Sequence, residues 1–212
     1  MKCMDSVPAV RRTLALLSAL LLAGGCSDDG EQPPPAATVP SEVTTSTTAP
    51  AAPDPAVIPD DLAEIDEEYV QAVVDELFAV DAKATGIFLT TKTLDERAIE
   101  YLQAIYTEEE LDRQVDHWFQ DLAHRSDELL PGALRNRVTR VIQVGDDCVY
   151  VEVETDYSQV STRKVPPAHN YLGLTPKLDG DDPGGLNPTA WVLFMDGVEP
   201  DGSPPENPCE GR

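Results

Sequence analysis

The sequence predicts an α+β domain, with helices first and an antiparallel sheet after them. Three observations carry that prediction. Between Leu62 and Leu122 apolar residues recur at spacings of three and four, the period of a helix with one buried face. From Arg137 onward the period falls to two, as Val149, Val151 and Val153 alternate with Tyr150, Glu152 and Glu154. Before Asp60 neither period is present, and proline, serine and threonine dominate.

Residues 1–25 come first. Lys2, Arg11 and Arg12 precede an apolar run from Leu14 to Ala23 that only Ser18 interrupts, and Gly24 and Gly25 follow. A basic end, a short apolar core and small residues make a secretory signal, with Arg11-Arg12 as its basic region. A membrane-spanning helix needs about 20 apolar residues, and this run is shorter. The stretch from Leu21 to Cys26 resembles the lipobox of bacterial lipoprotein precursors, with Ala23 where leucine is commonest and Leu22 one place earlier. The resemblance implies cleavage between Gly25 and Cys26, diacylation of the Cys26 sulfur, and attachment to the extracytoplasmic face of the cell membrane. Two chains matter because one alone binds a bilayer only reversibly. The competing reading is an ordinary signal cleaved nearby, with Cys26 a free thiol.

Residues 26–59 read as a tether. From Ser27 to Pro59 there are eight prolines, eight serines or threonines, and no basic or aromatic residue. Such a segment cannot bury enough apolar surface to offset chain ordering, so disorder is expected. The Thr44-Thr45-Ser46-Thr47-Thr48 cluster also has the composition of an O-glycosylated stalk.

The whole chain carries a formal net charge of −24. Removing residues 1–25 takes away Lys2, Arg11, Arg12 and Asp5, which leaves −26. A field of that sign repels phosphate backbones, so nucleic acid is not an expected partner. The expected partners are the membrane, through the lipid on Cys26, and an unidentified ligand or protein.

With Cys3 lost in the signal and Cys26 lipidated, Cys148 and Cys209 remain as a pair. In an oxidising compartment they are expected to form a disulfide, worth about 4 kcal/mol on the chain-entropy account. Metal binding is the rival reading, although the C-x-x-C spacing is missing.

Residues 60–212 are expected to form one α+β domain with a proline-rich C-terminal tail. Leu62, Ile65, Tyr69, Val73, Leu77 and Val80 define a first helix, capped by Asp60 or Asp61 and interrupted at Gly86. Thr93 to Glu96 and Thr107 to Glu110 both fit the capping box. The helices that follow carry Ile99, Leu102 and Tyr106, then Leu111, Val115, Trp118, Phe119 and Leu122.

Arg137 to Val144 is expected to pair with the strand at Val149 through a Gly145-Asp146-Asp147 turn. Cys148 shares the parity of Tyr150 and Glu152, so a bond to Cys209 would draw the tail across that face. Thr189 to Met195 reads as a further strand, with Trp191, Leu193 and Met195 on one face and Val192 and Phe194 on the other. The intervening Ser158–Pro188 is long for a connection in a compact domain, and Tyr171 to Leu174 reads as a short strand within it.

This order of elements resembles the cone-shaped fold of the nuclear transport factor 2-like superfamily, in which N-terminal helices pack on a curved antiparallel sheet. A cystatin-like helix on a sheet is the alternative. The resemblance implies a cavity in the cone, and some members of the superfamily place acid/base residues there.

Asp156, Tyr157 and His169 are the candidates for such catalytic positions, because they flank the long connection. The competing reading is a strand end and a polar loop. Asp179, Asp181 and Asp182 offer carboxylates in a glycine-rich loop that could hold calcium, but Asp-Gly and Pro-Gly turn chemistry accounts for the same residues. His117, Asp121 and His124 share a helix face almost opposite the apolar stripe, which reads as a solvated face. Arg135, Arg137 and Arg140 balance the acidic strand across the hairpin. No nucleophile elbow, phosphate loop or zinc motif occurs, and no cofactor is expected. The function expected is ligand or partner binding by a lipid-anchored domain; the alternative is an enzyme of the same fold.

Overall fold

The computed structural model describes residues 52–125, 128–199 and 202–210, with side chains in the third helix described as far as Trp118. The signal, Cys26 and the tether as far as residue 51 lie outside the described residues, as do the side chains of Phe119, Asp121, Leu122 and His124.

Three helices pack against a four-stranded antiparallel sheet. The helices are α1 (Glu67–Thr91), α2 (Glu96–Ile105) and α3 (Glu108–Arg125), and the strands are β1 (Arg135–Val144), β2 (Val149–Asp156), β3 (Ala168–Pro176) and β4 (Trp191–Gly197). The strands follow one another across the sheet in chain order. This is the α+β class that the change of period predicts. Among the described residues no helix is long and apolar enough to cross a membrane.

Several local expectations are corrected. Asp61 caps only a short 3-10 turn, Leu62–Glu64, whereas α1 is capped by Asp66, whose carboxylate accepts from the Glu68 and Tyr69 amides. Gly86 lies inside α1, which runs on to Lys92, a left-handed residue with φ 58°. A helix tolerates one glycine at a cost of about 1 kcal/mol, and the long buried face of α1 outweighs it. Asp95 rather than Thr93 caps α2. The Thr107 amide donates to the Leu193 carbonyl at 2.8 Å, so α3 starts anchored to β4 and Glu110 is released for other contacts.

The folded part also begins before Asp60. Ala190 donates its amide to the Pro55 carbonyl at 2.9 Å, Tyr69 donates its hydroxyl to the Val57 carbonyl at 3.0 Å, and Ile58 packs on the core. That Tyr69 hydroxyl also accepts the indole N–H of the buried Trp191 at 2.7 Å. One relay thus satisfies both aromatic polar groups in the core.

Val149, Val151 and Val153 face the helices and meet Val73, Val74 and Leu77, forming the main core. On the opposite face Cys148 is bonded to Cys209, with Cα atoms 5.6 Å apart. Around this disulfide Tyr150, Tyr171 and Met195 form a second, smaller core beneath the tail. The tail is also held by Tyr150, whose hydroxyl donates to the Pro205 carbonyl at 3.2 Å, and by Asn207, whose amide donates to Gln143 at 2.6 Å.

Ser158–Pro188 contains β3, longer than the four residues expected. Its remaining loop is latched by buried Asn187, which donates to the carbonyls of Ala104 and Trp191 at 2.9 and 2.8 Å and accepts from Thr189. A β-bulge lies between β3 and β4: Gly173 pairs with Met195 but the next residue, Leu174, pairs with Leu193. An extra residue on one strand reverses the facing of all that follows it. Met195 therefore joins the outer cluster instead of following Trp191 and Leu193, and Asp196 turns to the inner side.

Candidate ligand cavity

Beyond the main core, the helices and the sheet diverge around a cavity of about 600 Å³. Its walls are mostly apolar, with Phe78 and Phe88 from α1, Trp118 from α3 and Leu134 ahead of β1. Phe88 and Trp118 meet edge to face with centroids 6.1 Å apart. Asn136, Thr155, Asn170 and Asp196, one from each strand, bring polar groups to the same space from the sheet.

Asp81 reaches the cavity from α1. It lies four residues after Leu77 and three before Ala84, both fully buried, so the helical period carries it to the inner face. Only 7% of it is exposed. Burial pushes its carboxyl up to about 7; the charge of Asp196 adds to the rise and a hydrogen bond from Thr85 opposes it. Asp196 borders the cavity and keeps some exposure to it, yet enough protein surrounds it that burial pushes its carboxyl up to about 6. Asn170 donates to it at 2.7 Å and the Tyr106 hydroxyl bonds to it, while Arg113 and His117 favour its ionised form from a distance. Burial raises Tyr106 well above the usual phenol range, and both carboxylates reinforce the effect.

Arg113 forms an ion pair with the buried Glu110. Gln114 donates to the other Glu110 oxygen at 2.7 Å and also to the Asp196 carbonyl at 3.3 Å. Asn136 accepts from the Thr155 hydroxyl at 2.6 Å through its side-chain oxygen. Its side-chain nitrogen is buried and has no protein acceptor among the described residues.

The candidates read from sequence are distributed otherwise. Tyr157 lines the cavity. Asp156 is on the outer side, where its carboxylate accepts from the Ser158 amide at 2.8 Å and hydroxyl at 3.0 Å, bonds that hold it below its usual range. His169 is also on the outer face, largely exposed, with Nδ1 2.9 Å from a Glu152 oxygen. The three do not form one site, because neighbours along a strand point to opposite faces.

Asp181 accepts from the Leu178 amide, and Asp182 from the Leu186 and Asn187 amides. These carboxylates serve their own turn, and among the described residues no cluster of acidic, histidine or cysteine side chains has the arrangement of a metal site. Arg137 and Arg140 pair with Glu154 and Glu152 at 3.0 and 3.1 Å, the cross-hairpin balance expected. His117 is exposed as the helix period requires, but it stands at the cavity edge beside Arg113 and Gln114 rather than on a face turned away.

No family model, curated protein or solved structure matches this chain. The cavity is therefore read from its own residues.

Proposed function

We propose that the chain is a lipid-anchored extracytoplasmic protein whose acidic α+β domain binds a small molecule in this cavity. One observation carries the reading: a space of about 600 Å³ with apolar walls and a few convergent polar groups, Asp81, Asn136, Asn170 and Asp196. That combination, in that size range, characterises small-molecule sites. The signal-like residues 1–25 and the Leu21–Cys26 stretch support the anchor, and the element order supports kinship with the nuclear transport factor 2-like fold.

The cavity reading is tested by filling the space. Thr85→Trp should abolish binding of apolar amine and alcohol probes by the full chain while preserving its far-UV dichroism; undiminished binding places the ligand elsewhere. The anchor is tested separately by Cys26→Ala, which should yield an uncleaved or soluble precursor. A cleaved form still held on the membrane rejects the lipidation.

A second reading, an acid/base enzyme of the same fold, is favoured by the two carboxyls that burial moves close to neutrality. A general acid or base works best with a pKa near the working pH. Deuterium exchange into a bound carbonyl compound, lost in Asp81→Asn, is the expected signature. Binding without exchange favours the first reading.

A further inference from the structure

We propose, building on the small-molecule reading, that the cavity takes an organic cation: an ammonium group on an apolar body, set between Asp81 and Asp196, with an oxygen acceptor against Asn136.

Both carboxylates line the cavity, and the charge of Asp196 disfavours ionisation of Asp81. Neither is ion-paired with a described basic side chain; Arg113, whose charge reaches Asp196, is paired with Glu110. Thr85 bonds to Asp81, and Asn170 and Tyr106 bond to Asp196, so among the described residues the side-chain hydrogen bonds to the pair come from neutral groups, while Arg113 and His117 act on Asp196 from a distance. A bound anion would be repelled by Asp196 and would oppose any ionisation of Asp81. A neutral apolar body would strip water from both acids and return no hydrogen bonds. An ammonium group brings three donors and the missing charge together.

The walls suit the same guest. Phe78, Phe88 and Trp118 surround the space, and aromatic faces, tryptophan above all, attract cations. The chain's net charge of −24 raises the local concentration of cations around the entrance.

Asn136 points to a ligand independently of the carboxylates. It is 6% exposed and lines the cavity, and its side-chain nitrogen has no protein acceptor among the described residues. A buried donor left unmade carries its full desolvation penalty. A ligand oxygen removes that cost, so the guest carries an acceptor as well as its charge.

Calorimetry on the full chain with phenylbutylamine, phenylbutanol and phenylbutyrate isolates the charge, since the three share one apolar body. The amine should bind about tenfold or more tightly than the alcohol, and the carboxylate most weakly. Trp118 fluorescence should change on binding and the signal vanish in Trp118→Phe, because the other tryptophan, Trp191, is sealed in the core. Asp81→Asn combined with Asp196→Asn should erase the preference for the amine while the alcohol still binds. Phenoxypropylamine, in which an oxygen replaces one methylene, should bind more tightly than phenylbutylamine, and Asn136→Leu should remove that difference.

An alcohol or carboxylate that binds as well as the amine overturns the cation and leaves the small-molecule reading intact. Equal binding of the two amines removes the acceptor from the proposal. No heat and no Trp118 response with any probe counts against both readings.

Discussion

Asn170 donates its side-chain amide to the Asp196 carboxylate at 2.7 Å, joining β3 to β4 diagonally across one step of the ladder. This bond favours the ionised acid and opposes the burial that raises it. Asn170→Ala should therefore move the Asp196 titration midpoint upward from about 6, by roughly 0.5–1 pH unit. Carboxyl carbon NMR reads that midpoint directly. An unchanged value would mean that the bond is not formed in solution.

Asp81 makes stability fall as pH rises. Its carboxyl stands at about 7 in the fold against 3.8 in the free residue. The folded protein thus holds a proton that the unfolded chain gives up across this window, and each step upward in pH favours unfolding. Asp81→Asn should raise stability by about 1–3 kcal/mol at slightly alkaline pH and flatten the slope between about pH 4 and 7. Urea denaturation at several pH values measures both, and an unchanged slope would show that Asp81 is not the group responsible.

Gly173 lies on β3 at the bulge. A Cβ there would fall 2.8 Å from the Phe194 ring and 3.1 Å from the Met195 side chain. Gly173→Ala should cost about 1–3 kcal/mol through overpacking. Shrinking the neighbour, with Phe194→Leu added, should recover part of that loss. Additive losses in the double variant would rule out the ring contact as the cause.

Cys148 and Cys209 close a loop with a sequence separation of 61. Replacing both with serine should destabilise the domain by about 2–4 kcal/mol. Hydrogen exchange should rise first at residues 202–210, which the bond holds against the sheet. Protection that stays uniform would mean that the hydrogen bonds from Gln143, Tyr150 and Asn207 suffice.

The helix and strand periods made the fold class legible, and the parity of Cys148 foretold the side on which the tail docks. The cavity was harder to see. Asp81 did leave a signal, an acid at a core position of the first helical stripe between Leu77 and Ala84. Asp196 left none: strict alternation along Trp191, Leu193 and Met195 assigns it to the outer face, and only the bulge opposite Gly173 reverses it. A bulge depends on how two strands meet, which neither strand's own sequence reveals. Asp156 and His169 lie on the outer face, away from the cavity, because proximity in sequence to a long loop says nothing about which face a strand residue takes. His117 shows that exposure and participation are compatible when a helix borders an open space.

The tail also reaches round to the cavity, where Pro205 contributes to the lining while Tyr150 holds its carbonyl from the outer face. Four residues further on, Cys209 fixes that segment covalently. The part of the lining that Pro205 supplies is therefore fastened by an oxidation event as well as by hydrogen bonds. On the proposed ligand reading, reduction of Cys148–Cys209 should weaken probe binding in the cavity as well as loosen the tail on the outer face, and calorimetry with and without a thiol reductant measures it.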